Sequence, residues 1–189
     1  WEDIDTNNNI SVNYQETRTN IVLHSQDATD TEAWTKTNTA IDSTLYEAPD
    51  HSTTANAIKS NNTGERTYSL KQENLSVTAG KTYTLSVHLK KENLGFAQVR
   101  FADGSVQYRS HFNLTTGAMT NSAQVISNSI DAMDDGWFRC SITFQAQNTV
   151  SDGVAVVFAQ LAAGNSMPNV AVSGIVLLYV WGFQLEENS

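Results

Sequence analysis

The chain has 189 residues, with 20 acidic against 11 basic side chains and a formal net charge of -9. That length suits one well-filled core, and the acidic balance excludes general affinity for phosphate backbones, which depends on clustered Lys and Arg. The longest apolar run, Ile175 to Trp181, has the length of a strand and not of a membrane span, and a single cysteine, Cys140, leaves no disulfide framework.

Trp1 to Thr19 is polar, rich in Asn and Thr, and reads as an arm or linker preceding a domain over 20–189. Its opening, Trp-Glu-Asp-Ile-Asp, has neither the basic start nor the apolar block of a signal peptide, so a processed chain or a fragment is expected. Asn20 to Ser25 carries a short apolar strand, Ile21 to Leu23, and Gln26 to Asp30 is turn and cap chemistry. Trp34 to Thr37 starts a second strand. Thr54 to Ile58 is a brief strand or one helical turn. Tyr68, Leu70 and Gln72 share one side of the next strand, against Ser69 and Lys71.

The pattern then sharpens. Tyr83, Leu85, Val87 and Leu89 alternate with Thr84, Ser86, His88 and Lys90, the period of a half-buried strand. Val99 and Phe101 point inward from the next strand, and Gln98 and Arg100 point outward. Asp103-Gly104 is a hairpin signal, which pairs that strand antiparallel with Val106 to Leu114, where Tyr108, Ser110 and Phe112 oppose Gln107, Arg109, His111 and Asn113. Ala123 to Ile130 gives another strand. After the turn at Asp134 to Gly136, Phe138, Cys140, Ile142 and Phe144 alternate with Trp137, Arg139, Ser141 and Thr143. Val154 to Ala159 is apolar without alternation, which suits a strand covered on both faces or an oligomer contact. Ala162 to Asn169 is a loop, and Val176 to Trp181 is the final strand.

Many short strands, regular turn signals and no long helix predict an all-β fold: a two-sheet antiparallel sandwich, with jelly roll the leading topology. Phe138, Ile142, Val87, Leu89, Val99 and Phe112 are expected in one core, because their phases agree.

Several segments, taken together, carry a resemblance. Asn20 to Leu23 with Ala33 to Asn38, Val77 to Val87, Phe112 to Gly117, Asp135 to Ser141 and Tyr179 to Glu186 resemble, in that order, the jelly-roll carbohydrate-binding-like modules of bacteriophage virion proteins, which are similar to modules accompanying polysaccharide-degrading enzymes. The resemblance spans nearly everything from Asn20 to Glu186. It implies a non-catalytic module, at the virion surface or extracellular, that attaches to surface polysaccharide. The alternative is a structural or decoration domain that contacts other virion or fibre subunits and binds no glycan, and a homo-oligomer fits either. The loop at Ala162 to Ser173 departs from the shorter Gly-Asp-Gly loop of such modules. Trp181 to Glu186 is expected to close the sandwich against the Asn20 strand. Modules of this architecture often hold a structural calcium between their terminal strands, for which Asp27, Asp30, Glu32 and Glu186 are the hard oxygen donors in the right part of the chain.

An enzyme is not expected. A glycosidase needs two carboxylates held across a cleft, whereas the acids here sit mainly in turns or at the termini. Cys140 points inward, and no Gly-x-Ser-x-Gly turn is present. The stronger signal is a basic and aromatic stripe: His88, Lys90, Arg100, Arg109, His111, Trp137 and Arg139 fall on the outward phase of four strands that carry no outward acid. Arg pairs planar anions and an aromatic ring stacks on a pyranose, so His88, Arg100, Arg109, His111, Trp137 and Arg139 are the candidate site for a polysaccharide, an anionic one included. The plain alternative, a solvated sheet face whose cations pair with loop acids, stays open, because strand order is not written in the sequence.

Overall fold

The computed structural model describes residues 3–4, 10–11, 19–121, 124–162 and 168–188. In chain order the strands are β1 (Asp3–Ile4), β2 (Ile10–Ser11), β3 (Trp34–Thr37), β4 (Thr39–Ile41), β5 (Tyr46–Glu47), β6 (Thr53–Ser60), β7 (Gly64–Glu65), β8 (Tyr68–Val77), β9 (Thr82–Lys91), β10 (Phe96–Asp103), β11 (Val106–Asn113), β12 (Ala118–Asn121), β13 (Ser127–Ala132), β14 (Trp137–Gln145), β15 (Val150–Gln160), β16 (Asn169–Val170) and β17 (Val176–Glu187). One short 3-10 turn, Asp134–Gly136, precedes β14.

Every ladder is antiparallel. The first sheet runs β12-β11-β10-β15-β8-β3 and the second β13-β14-β9-β17-β6-β4, with β5 added on β6. From β8 to β10 the chain passes from the first sheet to the second and back, β10 and β11 pair as a hairpin within the first, and β14, β15 and β17 then alternate second, first, second, which gives the jelly-roll sandwich its winding. Alternation does the rest. Leu70, Val99, Phe101, Tyr108 and Phe112 of the first sheet meet Leu85, Val87, Leu89, Ile142, Phe144 and Leu185 of the second, all fully buried. Each such side chain contributes about 1.5–3 kcal/mol of burial. Phe144 is the centre of an aromatic stack, its ring 4.3 Å from Tyr108, 5.0 Å from Phe101 and 6.0 Å from Tyr83.

Five of the six expected core residues are fully buried. Phe138 is only partly so, because it lies near the start of β14, where it packs toward the Gly117 turn. In the apolar run of β15, Ala155, Val157 and Ala159 are buried inward, and on the outer face Val156 is buried while Val154 and Phe158 are only partly so.

Asn20 to Ser25 is not a strand. The Gln72 side chain takes both backbone groups of Leu23, accepting from its N–H at 2.7 Å and donating to its carbonyl at 2.8 Å, which occupies what a ladder would use. The tail still docks there. The Asn20 side-chain amide donates to the Phe183 carbonyl and its oxygen accepts from Leu185 N–H, both at 2.9 Å, while Ile21 N–H donates to the Leu185 carbonyl at 2.8 Å. The strand expected from Ala123 begins at Ser127, and residues 122–123 lie outside the described ones. So do most of the expected arm, of which only the β1–β2 pairing is described, and residues 163–167 of the loop after Leu161.

Candidate functional site

The six residues picked out by phase do not form one stripe. Arg100 stands on β10, and Arg109 and His111 stand on β11, all on the outer face of the first sheet. His88 of β9 and Trp137 and Arg139 of β14 are on the outer face of the second, on the opposite side of the sandwich.

The second-sheet group is largely sealed. Trp137 is 2% exposed, packed with Ala48 and Ala55 and ringed by Tyr46, Tyr179 and Trp181, so its face is closed to a sugar. The segment that covers it is anchored by Trp181, whose Nε1–H donates to Thr54 Oγ1 at 2.9 Å. His88, paired in register with Arg139 and Trp181, is 8% exposed. Arg139 donates through Nη2 to Ser86 Oγ at 3.1 Å, and Asp131 of β13 stands directly opposite it in register. The acid facing Arg139 thus comes from a fifth strand, β13, while the outward phases of β9, β10, β11 and β14 themselves carry none.

The first-sheet face is different. Register aligns its outward residues in rows across the strands. One row reads Thr35, Lys71, Val156, Arg100, Arg109, and the next reads Thr37, Ser69, Phe158, Gln98, His111. With strands about 4.8 Å apart, the step from Lys71 to Arg109 spans roughly 14 Å. His111 is fixed by two amides: its Nδ1 is 2.9 Å from Gln160 Oε1 and its Nε2 is 3.3 Å from Gln98 Nε2. The Arg100 guanidinium lies 4.6 Å over the Phe158 ring, a cation–π contact. Its Nε is buried with no hydrogen-bond partner. Burial, and then the facing Arg109 charge, lower the Arg100 pKa. None of the ion pairs among the described residues involves an arginine, and the nearest acid on this face, Glu73, is held by Lys71 Nζ at 2.9 Å. Beyond the Arg row, where Ala102 faces Val154, the sheet opens into a hollow of about 500 Å³ lined by those two, Glu73, Asn74, Gly104 and Asp152.

Sequence phase alone missed Phe158 and Gln160, which sit in a run without alternation. It also did not single out Lys71 or Gln98 as members of this row pattern.

The oxygen donors suggested for calcium do not fit the ion. Asp27 accepts from the Thr29 N–H and hydroxyl, and Asp30 accepts from the N–H groups of Glu32 and Ala33, bonds that lower both pKa values and commit the carboxylates to their own turn. Glu186 is on β17 opposite Thr84. Among the described residues these four do not gather three donors at one point, whereas calcium takes six to eight oxygens. Asp103, expected as a turn acid, is fully buried: it accepts from Tyr108 Oη at 2.7 Å and from the N–H groups of Gln147 and Asn148 at 2.7 and 3.0 Å. The Cys140 thiol is buried in the core and its pKa is pushed far up by desolvation.

No protein-family model matches the sequence, and no curated protein matches it either. Solved structures do share the fold. The enzymatically active domain of tailspike protein 4 from bacteriophage CBA120 superposes with a TM-score of 0.54 at 9% identity, over 89% of this chain and 21% of that one. The CBM22-1 and GH10 modules of Clostridium thermocellum endo-1,4-β-D-xylanase 10B, solved with xylohexaose, give a TM-score of 0.47 at 13% identity over 89% of this chain and 28% of that one. The CBM22-1 xylan-binding domain from Paenibacillus barcinonensis gives 0.46 at 13% identity, over 92% of this chain and 97% of that one. The chain thus spans about a fifth of the tailspike and 28% of the Clostridium enzyme. The tailspike likeness, at 9% identity, shows a shared sandwich fold and nothing more.

Proposed function

We propose that the outer face of the first sheet binds a polysaccharide chain, and that the protein is a non-catalytic carbohydrate-binding module that holds a virion protein on surface polysaccharide, at the virion surface or outside a cell. The observation that carries this reading is the pair of aligned rows, in which Arg100 and Arg109 present planar hydrogen-bonding groups side by side, flanked by the His111 ring, beside an open hollow. Planar donors at strand spacing match the hydroxyls of successive sugar units. The sequence resemblance to virion modules supports the setting. Two of the acids near this face already have structural roles, Asp103 in the hairpin turn and Glu73 in its ion pair with Lys71, which supports a binding role over a catalytic one.

Affinity electrophoresis against a panel of bacterial surface and algal polysaccharides tests the reading. Retardation by at least one polymer is expected, lost in Arg109→Ala and His111→Ala and kept in Arg139→Ala on the opposite sheet. Failure of every polymer to retard the parent chain would favour a structural or decoration domain instead.

A further inference from the structure

The outer face of the first sheet holds an electrostatic arrangement that a neutral sugar does not explain. Arg100 and Arg109 are directly opposed in the register of β10 and β11, on one face, so their Cβ atoms are about 5 Å apart. Like charges so placed destabilise a sheet. A protein with nearly twice as many acidic as basic side chains has carboxylates available to neutralise them, yet neither arginine has an ion-pair partner among the described residues. Arg100 goes further. Its Nε–H is buried without an acceptor, a state that costs free energy in nearly all folded proteins. It cannot escape by losing its proton, since an arginine stays charged. The Phe158 ring beneath holds the guanidinium flat against the sheet at 4.6 Å. On the other side of the row Val156 is apolar and Lys71 is already paired, so the unneutralised charge is concentrated at these two groups.

We propose that Arg100 and Arg109 form an anion subsite, so that the ligand is an acidic saccharide bearing carboxylate or sulfate groups. This rests on the saccharide-binding reading of the same face and narrows it. A planar or tetrahedral oxyanion between two guanidinium groups accepts paired N–H bonds from both. It neutralises the two opposed charges through their terminal nitrogens, and it removes the repulsion that the free protein sustains. His111 stands beside the pair with both of its ring nitrogens taken by Gln98 and Gln160, which fixes the ring in place.

The experiment measures binding of the whole chain to polygalacturonate and to its carboxyl-reduced polymer, and to a sulfated galactan and its desulfated polymer, at low and moderate salt. At least one acidic polymer is expected to bind tenfold or more tightly than its neutral counterpart, with the pair that discriminates identifying carboxylate or sulfate as the group recognised. Arg109→Gln should lower affinity for that polymer at least tenfold and narrow its preference over the neutral counterpart, while the ligand-free variant melts at the same temperature as the parent or higher because repulsion is relieved. Equal binding of acidic and neutral forms overturns the anion subsite and leaves the saccharide reading standing. Binding of none of the four by a parent that another neutral polymer retards does the same, and binding of no polymer at all removes both. A lower melting temperature in Arg109→Gln with unchanged affinity would make the pair a packing element and also overturn the proposal.

Discussion

The His88 ring meets Trp181 nearly edge-on, with centroids 5.1 Å apart, and its Nδ1 is buried without a hydrogen-bond partner. A Cβ on Gly182 would come within 3.2 Å of that nitrogen, so a glycine at this position is what lets the ring pack so closely against the β17 backbone. Burial, and then the Arg139 charge, lower the His88 pKa below its ordinary value of 6.5, against a weaker pull from the backbone of Trp181 and Gly182 and from Asp50. The folded state therefore holds this imidazole neutral, and the unfolded chain binds the proton more readily. Stability from this residue is complete above about pH 6.5 and is lost as pH falls below it. His51 works the other way, its pKa raised by Glu47, but it is exposed and its effect is small. Melting temperature should fall between about pH 7 and pH 5 in the parent and fall less in His88→Gln, measured by circular dichroism. Parallel curves for the two proteins would remove His88 as the cause.

Asp103 and Tyr108 predict a structural penalty that has nothing to do with binding. Removing the carboxylate in Asp103→Ala strands the Tyr108 hydroxyl and the N–H groups of Gln147 and Asn148, a buried polar set. The cost should be about 3 kcal/mol, against about 1 kcal/mol for Tyr108→Phe, which leaves the carboxylate with its backbone donors. Urea unfolding with an unchanged slope measures both. Equal costs would show that the hydroxyl and not the carboxylate organises the turn.

Two phenylalanines of β14 separate phase from depth. Phe144 is fully buried in the aromatic stack, whereas Phe138, on the same face, is partly exposed. Phe144→Ala should cost about 4 kcal/mol and Phe138→Ala about 2 kcal/mol, the difference being the cavity left in a closed core. A larger loss at Phe138 in denaturant titration would contradict this.

Alternation told the inner face of each long strand from the outer, and so the sandwich and most of its core were legible. It could not tell which sheet a strand joins, because the partners of β9 and β14 come from distant parts of the chain. His88, Trp137 and Arg139 share a phase with Arg100, Arg109 and His111 and yet face the other way. Trp137 looked outward and is covered by a segment around Tyr46 to Thr54, a long-range packing event that leaves no periodic trace. The Arg100–Arg109 pair was nonetheless within reach. A two-residue turn at Gly104 and Ser105, with Gly104 at φ +78°, fixes the hairpin register, and counting outward along it places Arg100 across from Arg109 and Gln98 across from His111.

Gly153, in the same sheet, marks a point where an added side chain has no room. It sits at an irregularity of the β8–β15 ladder, facing Leu75, and a Cβ there would lie 2.6 Å from the Leu75 carbonyl oxygen and 2.7 Å from Phe101 Cζ. Neither neighbour can yield cheaply, one being backbone and the other a fully buried ring. Gly153→Ala should therefore cost about 2 kcal/mol through overpacking. A melting temperature equal to the parent's would show that the bulge relaxes.

Phe158 offers a test of the binding face that leaves the two arginines in place. Its ring is half-buried on the outer face, outside the main core, and lies 4.6 Å under the Arg100 guanidinium. A cation–π contact of this kind is worth about 0.5–2 kcal/mol, and here it spends that energy on holding Arg100 level with Arg109. In Phe158→Leu the apolar volume largely remains, so the fold should persist, but Arg100 gains rotamers and must lose them again when an anion binds. Affinity for an acidic polysaccharide should fall about twofold to tenfold, with the melting temperature nearly unchanged, and Phe158→Tyr should restore it because the ring face is retained. Calorimetric titration of the three proteins measures this. An unchanged affinity in Phe158→Leu would mean that the ring does not position Arg100, and an equal loss in Phe158→Tyr would mean that the pocket needs its shape and not its ring.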